Sequence, residues 1–302
     1  MILSRQILSE PEEVYKHIKD GDDDILLIDV RRNEEYAREH IPNAVSLPLT
    51  KVIESTDIPT LLELFAGIGL IIGKDSKSVV VYDDTFGALA ARVAWTLEYL
   101  GYENVSLLAV TYSKWKDLGF EVEHGSEGKV SKNKNKVSNE NDSSSLAVNV
   151  NVNVNVNVNV NVNKNIIASY EYIKSIIDGS IKDRGSGTAA KLLDVRERLN
   201  YLDHHIPTAI NIPWKAFSAE DRVLKDKAEI LDILKSRRIE YKDEVIVYCG
   251  SVGTLSGLSY YGLRLVGYSN VRLYANSLKE WRSLNLPLGG FKDAHYWDLS
   301  AE

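Results

Sequence analysis

The sequence is poor in sulfur: Cys249 is its one cysteine and Met1 its one methionine among 302 residues. A lone thiol cannot close an intrachain disulfide, so the stapled, secreted class of folds is excluded and the reducing cytoplasm is the expected location. Long apolar runs are missing too, and none reaches the length needed to cross a bilayer. The opening residues, MILSRQILSEPEEVYKH, interrupt their apolar character with charge at once and carry no signal-peptide pattern. Basic residues are the minority. Lys and Arg number 36 against 43 Asp and Glu, and the formal net charge of −7 argues against nucleic acid as the main partner. What is present, 44% hydrophobic and 26% charged residues, belongs to a soluble globular chain whose length suits two domains.

Along the chain, short apolar runs alternate with helical patterns. Ser9-Glu10-Pro11-Glu12 has the form of a capping box with an early proline, opening a helix that stops near Gly21. Ile25 to Val30, Val45 to Leu47, Val79 to Tyr82 and Val105 to Leu108 read as strands. Leu89, Val93, Leu97 and Leu100 mark one face of a helix that ends at Gly101. This alternation implies a parallel sheet covered on both faces. From about Gly125 Lys, Asn, Ser and Glu dominate, a composition that cannot bury a core. Val and Asn then alternate from Val148 to Asn163. That is strand periodicity, read here as an expanded low-complexity repeat able to lie as an edge strand, with no chemistry assigned.

Beyond that tract the chain starts again. LLIDVRRNEEYAREHIPNAVSLPL aligns with KLLDVRERLNYLDHHIPTAINIPW, so that Asp29, Arg31, His40, Pro42 and Pro48 match Asp194, Arg196, His205, Pro207 and Pro213 at a constant offset. VVVYDDTFGALAARVAWTLEYLGYENV aligns in turn with VIVYCGSVGTLSGLSYYGLRLVGYSNV, and Trp115 meets Trp281. The protein is a tandem duplication. Its domains are expected at residues 1–124 and 166–302, joined by a low-complexity linker over 125–165. In the first copy Asp83 stands where the second has Cys249.

The second copy carries the reactive pattern. Val245 to Tyr248 is a short apolar run of the buried-strand type, Cys249 ends it, and Gly250-Ser251-Val252-Gly253-Thr254 leads into a helical pattern. Ligands of open α/β sheets bind at this carboxyl edge. The first amides of a helix lack intrahelical partners and favour an anion, and a thiol facing them ionises more readily. Two glycines let the loop curl so that successive N–H groups converge. A phosphatase of the C-x5-R type is excluded, because Leu255 occupies the position its phosphate-binding arginine would need.

These marks together, D-V-R followed by H-I-P-x-A in both halves, then strand, Cys, loop and helix, then Glu280-Trp281, resemble the rhodanese family of sulfurtransferases. The resemblance implies an α/β fold of tandem rhodanese-like domains, each a parallel sheet with helices on both faces, with an inactive first copy and a catalytic second. It implies that Cys249 takes a sulfane sulfur as a persulfide and passes it to cyanide or a thiol. Gly250, Ser251, Val252, Gly253 and Thr254 would stabilise the sulfur anion through their amides. Arg196 would bind the donor's anionic group; an ion pair that holds the loop is the equal alternative, because Arg31 repeats it in the inactive half. No metal or other cofactor is implied, and neither nucleic acid nor membrane is a partner. His40 and His205 are expected to pack in their turns, Trp115 and Trp281 in the core. Trp214 and Phe217 either line a substrate cleft or pack as ordinary aromatics. The Cys-Gly-Ser start of the loop is similar to 3-mercaptopyruvate sulfurtransferases, with Val252-Gly253 in place of their usual Gly-Val. Thr56 or Asp57 stands where those enzymes share a histidine. Thiosulfate and 3-mercaptopyruvate therefore both stay open as donors. A different class of function is a binding or sulfur-relay module serving an acceptor protein. A cleft between the halves, with Cys249 at its floor, is the expected site.

Overall fold

The computed structural model describes residues 6–55, 57–125, 160–180 and 190–293. The first half runs β1 (Leu8–Ser9), α1 (Pro11–Asp20), β2 (Ile25–Asp29), α2 (Asn33–Arg38), β3 (Val45–Ser46), α3 (Leu49–Glu54), α4 (Ile58–Gly67), β4 (Ser78–Tyr82), α5 (Ala88–Tyr99), β5 (Val105–Leu108) and α6 (Tyr112–Asp117). The second runs α7 (Tyr170–Ile177), β6 (Ala190–Asp194), α8 (Arg198–Asp203), β7 (Ile210–Asn211), α9 (Lys227–Ser236), β8 (Glu244–Tyr248), α10 (Thr254–Leu265), β9 (Val271–Leu273) and α11 (Ser277–Ser283). Both sheets are wholly parallel, in the orders β1-β5-β4-β2-β3 and β7-β6-β8-β9. A single bridge, Ile167 to Leu273, occupies in the second sheet the edge that β1 fills in the first. The expected tandem α/β architecture is present.

Strand alternation sorts the core. Val79 and Val81 of β4 face the centre of the molecule, whereas Val80 and Tyr82 face α1, α2 and α6. In β8, Val245 and Val247 face the centre, and Ile246 and Tyr248 face α7, α8 and α11. The two inner faces do not close separately. They share one apolar core that contains buried residues of α5 and α10. These two helices touch backbone to backbone: a Cβ added at Gly257 would lie 3.3 Å from the Arg92 nitrogen and 3.5 Å from the Ala91 Cβ. Farther along the same pair, buried Glu98 accepts hydrogen bonds from Tyr260 Oη (3.1 Å), Tyr261 Oη (3.3 Å) and Arg264 Nη1 (3.4 Å).

Two local expectations change. Ser9 does not cap α1; it lies in β1, where its hydroxyl shares a 2.7 Å hydrogen bond with Ser106 of the neighbouring strand. Glu10 precedes the helix without a side-chain cap, Pro11 opens it, and Gly21 ends it at φ 68° as expected. The tail of the Val/Asn tract, residues 160–163, forms no strand. Its Asn163 N–H bonds to the Tyr99 carbonyl at 2.8 Å and Val160 packs on the shared core. Residues 148–159 of the tract and Thr56 lie outside the described residues. No described helix is long and apolar enough to cross a membrane.

A side chain forced into the α5–α10 contact has only backbone and the Ala91 methyl to displace. Gly257→Leu should therefore lower stability by about 1–3 kcal/mol, read as a shifted urea midpoint, and an unchanged midpoint would contradict this account of the interface.

Candidate active site

The carboxyl ends of β6 and β8 lie side by side, with Asp194 in register with Tyr248, and Cys249 follows directly. Cys249 is buried at 3% exposure, whereas Gly250 and Ser251 after it are exposed. The cysteine backbone is held from α11: Leu278 N–H donates to the Cys249 carbonyl (3.2 Å) and Lys279 N–H to that of Gly250 (3.0 Å). Ser277 adds a side-chain clamp. Its Oγ accepts the Cys249 N–H at 3.1 Å, donates to the Tyr274 carbonyl at 2.9 Å and lies 3.6 Å from Sγ. Ser277 is fully buried at φ 54°, a conformation rare outside glycine. Sequence reasoning missed it. The signal available was its place just before Glu280-Trp281, at the end of the strand neighbouring β8.

Gly253 ends the loop at φ 75° and caps α10, as Gly87 does for α5 at φ 77°. The flexible residue therefore falls at the same place in both copies. Gly250 does not adopt a positive φ, so the curl depends on Gly253 alone. Gly253 is also hemmed in: a Cβ there would come within 3.2 Å of the Ala275 carbonyl oxygen and 3.3 Å of Arg92 Cδ. Arg92, a residue of α5 in the other half, donates from Nε to the Val252 carbonyl at 2.8 Å. Sequence reasoning missed this residue as well.

Arg196 sits beside the loop, its Cδ 3.9 Å from where a Gly250 Cβ would be. Its Nε and Nη2 fork onto Asp194 (3.0 and 2.7 Å), and Nη2 also donates to the His204 carbonyl at 2.6 Å. Arg31 repeats every contact with Asp29 and the Glu39 carbonyl in the first half. Burial works against the Arg196 charge, but the Asp194 carboxylate outweighs it and holds the guanidinium above its ordinary value; Tyr248 and Cys249 add to the effect. His40 and His205 stack on Tyr36 and Tyr201 (3.8 and 4.0 Å) and bond through Nδ1 to the same residues' carbonyls. They pack, as expected. Phe217 is buried against Gly262, and Trp214 meets Phe86 of the first half at 5.3 Å. Asp57 caps α4 by accepting the Thr60 N–H at 2.8 Å. A groove of about 640 Å³ between the halves is lined by Arg222, Lys225 and Leu265 at the far end of α10, and Cys249 is not part of it. No cluster of three or more metal-ligating side chains occurs among the described residues.

The first half shows how such a loop holds an anion. Asp83 is buried at 1% exposure, and its carboxylate accepts four backbone N–H bonds. Thr85 and Gly87 donate to Oδ1 (2.7 and 2.8 Å), Leu89 and Ala90 to Oδ2 (2.7 and 2.8 Å). Burial pushes its carboxyl above the ordinary value, and the four amides pull it back. By the repeat alignment the matching amides of the second half belong to Ser251, Gly253, Leu255 and Ser256.

A family model described as a rhodanese-like domain matches residues 10–118 and 179–284, one match in each half. The chain belongs to the rhodanese family. A 3-mercaptopyruvate sulfurtransferase of Escherichia coli (strain K12) is similar to this tandem rhodanese, with 29% identity over 285 residues, 88% of this chain and 91% of that one. A thiosulfate sulfurtransferase of Pseudomonas aeruginosa is 24% identical over 290 residues, covering 91% and 93%. Among solved structures, SseA from Escherichia coli overlays with a TM-score of 0.66 at 22% identity, over 90% of this chain and 98% of that one. Wild-type EanB overlays at 0.72 and 19% identity, over 94% and 69%. These overlays establish the shared rhodanese fold.

The Asp83 cradle yields a stability test. In Asp83→Asn the amide nitrogen faces two backbone donors and leaves them unpaired, so unfolding in urea should show a loss of about 2 kcal/mol or more. A variant as stable as the parent would mean that the four amides are not what holds this loop.

Proposed function

We propose that the chain is a sulfurtransferase that moves a sulfane sulfur from thiosulfate or 3-mercaptopyruvate to cyanide or a thiol through a persulfide on Cys249. The observation that carries this reading is the filled cradle of the first half. Counted from the backbone, an Asp carboxylate oxygen is the fourth atom after Cα, Cβ and Cγ. The outer sulfur of a cysteine persulfide is likewise the fourth, after Cα, Cβ and Sγ. Asp83 thus occupies permanently the place that a persulfide at Cys249 would fill during turnover, with Ser251, Gly253, Leu255 and Ser256 as its amide donors. The relatives named as sulfurtransferases support the same activity class.

In the first step the Cys249 thiolate attacks the sulfane sulfur, forming an S–S bond. With thiosulfate the donor's S–S bond breaks and sulfite leaves with the electron pair. With 3-mercaptopyruvate a C–S bond breaks, and the carbon fragment leaves as the enolate of pyruvate and takes up a proton. In the second step cyanide or a thiolate attacks the outer sulfur and Cys249 leaves as thiolate, so the enzyme is regenerated with no net change of charge on it. Arg196, beside Gly250, presents its cation to the sulfonate or carboxylate of the donor while Asp194 keeps it in place. The exposed Gly250 and Ser251 are the open side from which a donor approaches. A lone working thiol belongs in the reducing cytoplasm.

The relay-module reading has Asp83 in its favour, since one domain has aspartate where the other has the cysteine. Intact mass after exposure to each donor separates the two. A gain of one sulfur atom, reversed by cyanide and absent from a folded Cys249→Ser variant, is expected with at least one donor. No gain with either donor, or turnover by Cys249→Ser, would end the sulfurtransferase reading.

A further inference from the structure

Ser256 stands in the first turn of α10, fully buried, and its hydroxyl has no hydrogen-bond partner among the described residues. It is the only buried side-chain atom of that helix in this state. A hydroxyl taken from water and left unpaired works against folding. A serine within a helix can meet this by bonding back to the carbonyl four residues earlier, as Ser259 does with Leu255 at 3.2 Å. For Ser256 that carbonyl is Val252, which already accepts from Arg92 Nε at 2.8 Å. The next carbonyl, that of Gly253, accepts the Gly257 N–H at 2.9 Å. The surrounding backbone does not answer for this hydroxyl.

The duplication shows what lies beside it. The counterpart of Ser256 is Ala90, whose N–H holds Asp83 Oδ2 at 2.8 Å. A hydroxyl carried on that Cβ and turned gauche to its own nitrogen reaches the anion that the nitrogen holds. In the second half the N–H groups of Ser251, Gly253, Leu255 and Ser256 donate to no backbone or side-chain acceptor among the described residues. The Asp83 carboxylate divides its four donors between two oxygens. A persulfide presents one outer atom to the same cradle, and a donor on a rotatable bond adjusts to it as fixed amides do not. The loop with a permanent anion has a methyl group at this place, and the loop that would take up and release one has a hydroxyl.

We propose that Ser256 is a catalytic residue whose hydroxyl donates to the outer sulfur of the Cys249 persulfide, so that its pairing comes with the sulfur. This rests on the sulfurtransferase reading above. An unpaired group in the free enzyme that the intermediate satisfies favours the loaded state.

The test uses the full chain with Ser256→Ala, the residue that the first copy carries at this place, and Ser256→Thr, which keeps a hydroxyl. Each protein is equilibrated with glutathione and glutathione persulfide at a fixed ratio. The Cys249 thiolate takes the outer sulfur, glutathione leaves as thiolate, and intact mass gives the loaded fraction. Ser256→Ala should lower the loaded-to-free ratio about tenfold, and Ser256→Thr should recover part of it. Urea unfolding supplies a readout that a merely structural role would not move. Unloaded Ser256→Ala should be at least as stable as the parent, while loading should raise its midpoint less than it raises the parent's. An unchanged ratio, equal midpoint gains on loading, or an unloaded variant weaker than the parent overturns the proposal. A parent chain that takes sulfur from neither glutathione persulfide nor either donor sinks the sulfurtransferase reading, and this proposal with it.

Discussion

The molecule depends on how closely α5 and α10 approach each other. Ala90, Ala91 and Ala94 on one helix and Ser256 and Gly257 on the other are all buried, and nothing larger intervenes where the backbones meet. That contact joins the inner faces of two parallel sheets into one core. It also brings the N-terminus of each helix, with the loop before it, against the opposite half. Gly87 lies so near Val223 that a Cβ would fall 2.2 Å from the Val223 Cγ1, and Gly253 lies against Arg92 and Ala275. Both are glycines in the left-handed region, so sterics and backbone conformation demand the same residue. Each loop is finished by a surface that its own domain does not supply.

Within this common frame the copies differ where chemistry would. The first loop contains its own anion, with Val223 of the other half against Gly87 and Phe86 beside Trp214. The second has a thiol clamped by Ser277, exposed residues on one side and a guanidinium of the partner half on the other. What both keep is the brace beneath. The Asp29–Arg31 and Asp194–Arg196 forks are buried and repeat nearly atom for atom, and both satisfy a carbonyl eight residues on. The Tyr82 and Tyr248 hydroxyls accept the Ile41 and Ile206 N–H groups and tie each H-I-P turn to the end of the central strand. The recurring D-V-R and H-I-P signatures are thus the parts of one brace.

That brace explains why so much was readable in advance. The Asp–Arg fork lies within two residues of sequence and each tyrosine hydroxyl reaches its turn across 41 or 42, and the duplication shows each of these parts twice. Ser9 was misread because its hydroxyl answers to Ser106, far along the chain, rather than to the helix it precedes. Arg92 could not be found by the same means, since it acts on a carbonyl 160 residues away. It stands half-buried beside the Leu89, Val93 and Leu97 stripe, and its partner is the loop before α10. Ser277 is a similar case: apart from its place ahead of Glu280-Trp281 nothing local marks it, and its role comes from the end of β9 lying beside that of β8.

The contact between Glu98 and Arg264 has a further consequence. The two residues occupy equivalent positions in the repeat, so they sit where a two-fold axis would make one residue meet its own copy. Two first halves brought together in this geometry would oppose Glu98 to Glu98, and two second halves Arg264 to Arg264, with the like charges largely out of water. Covalent linkage of unlike halves is thereby matched by a recognition rule, under which each accepts the other and rejects itself.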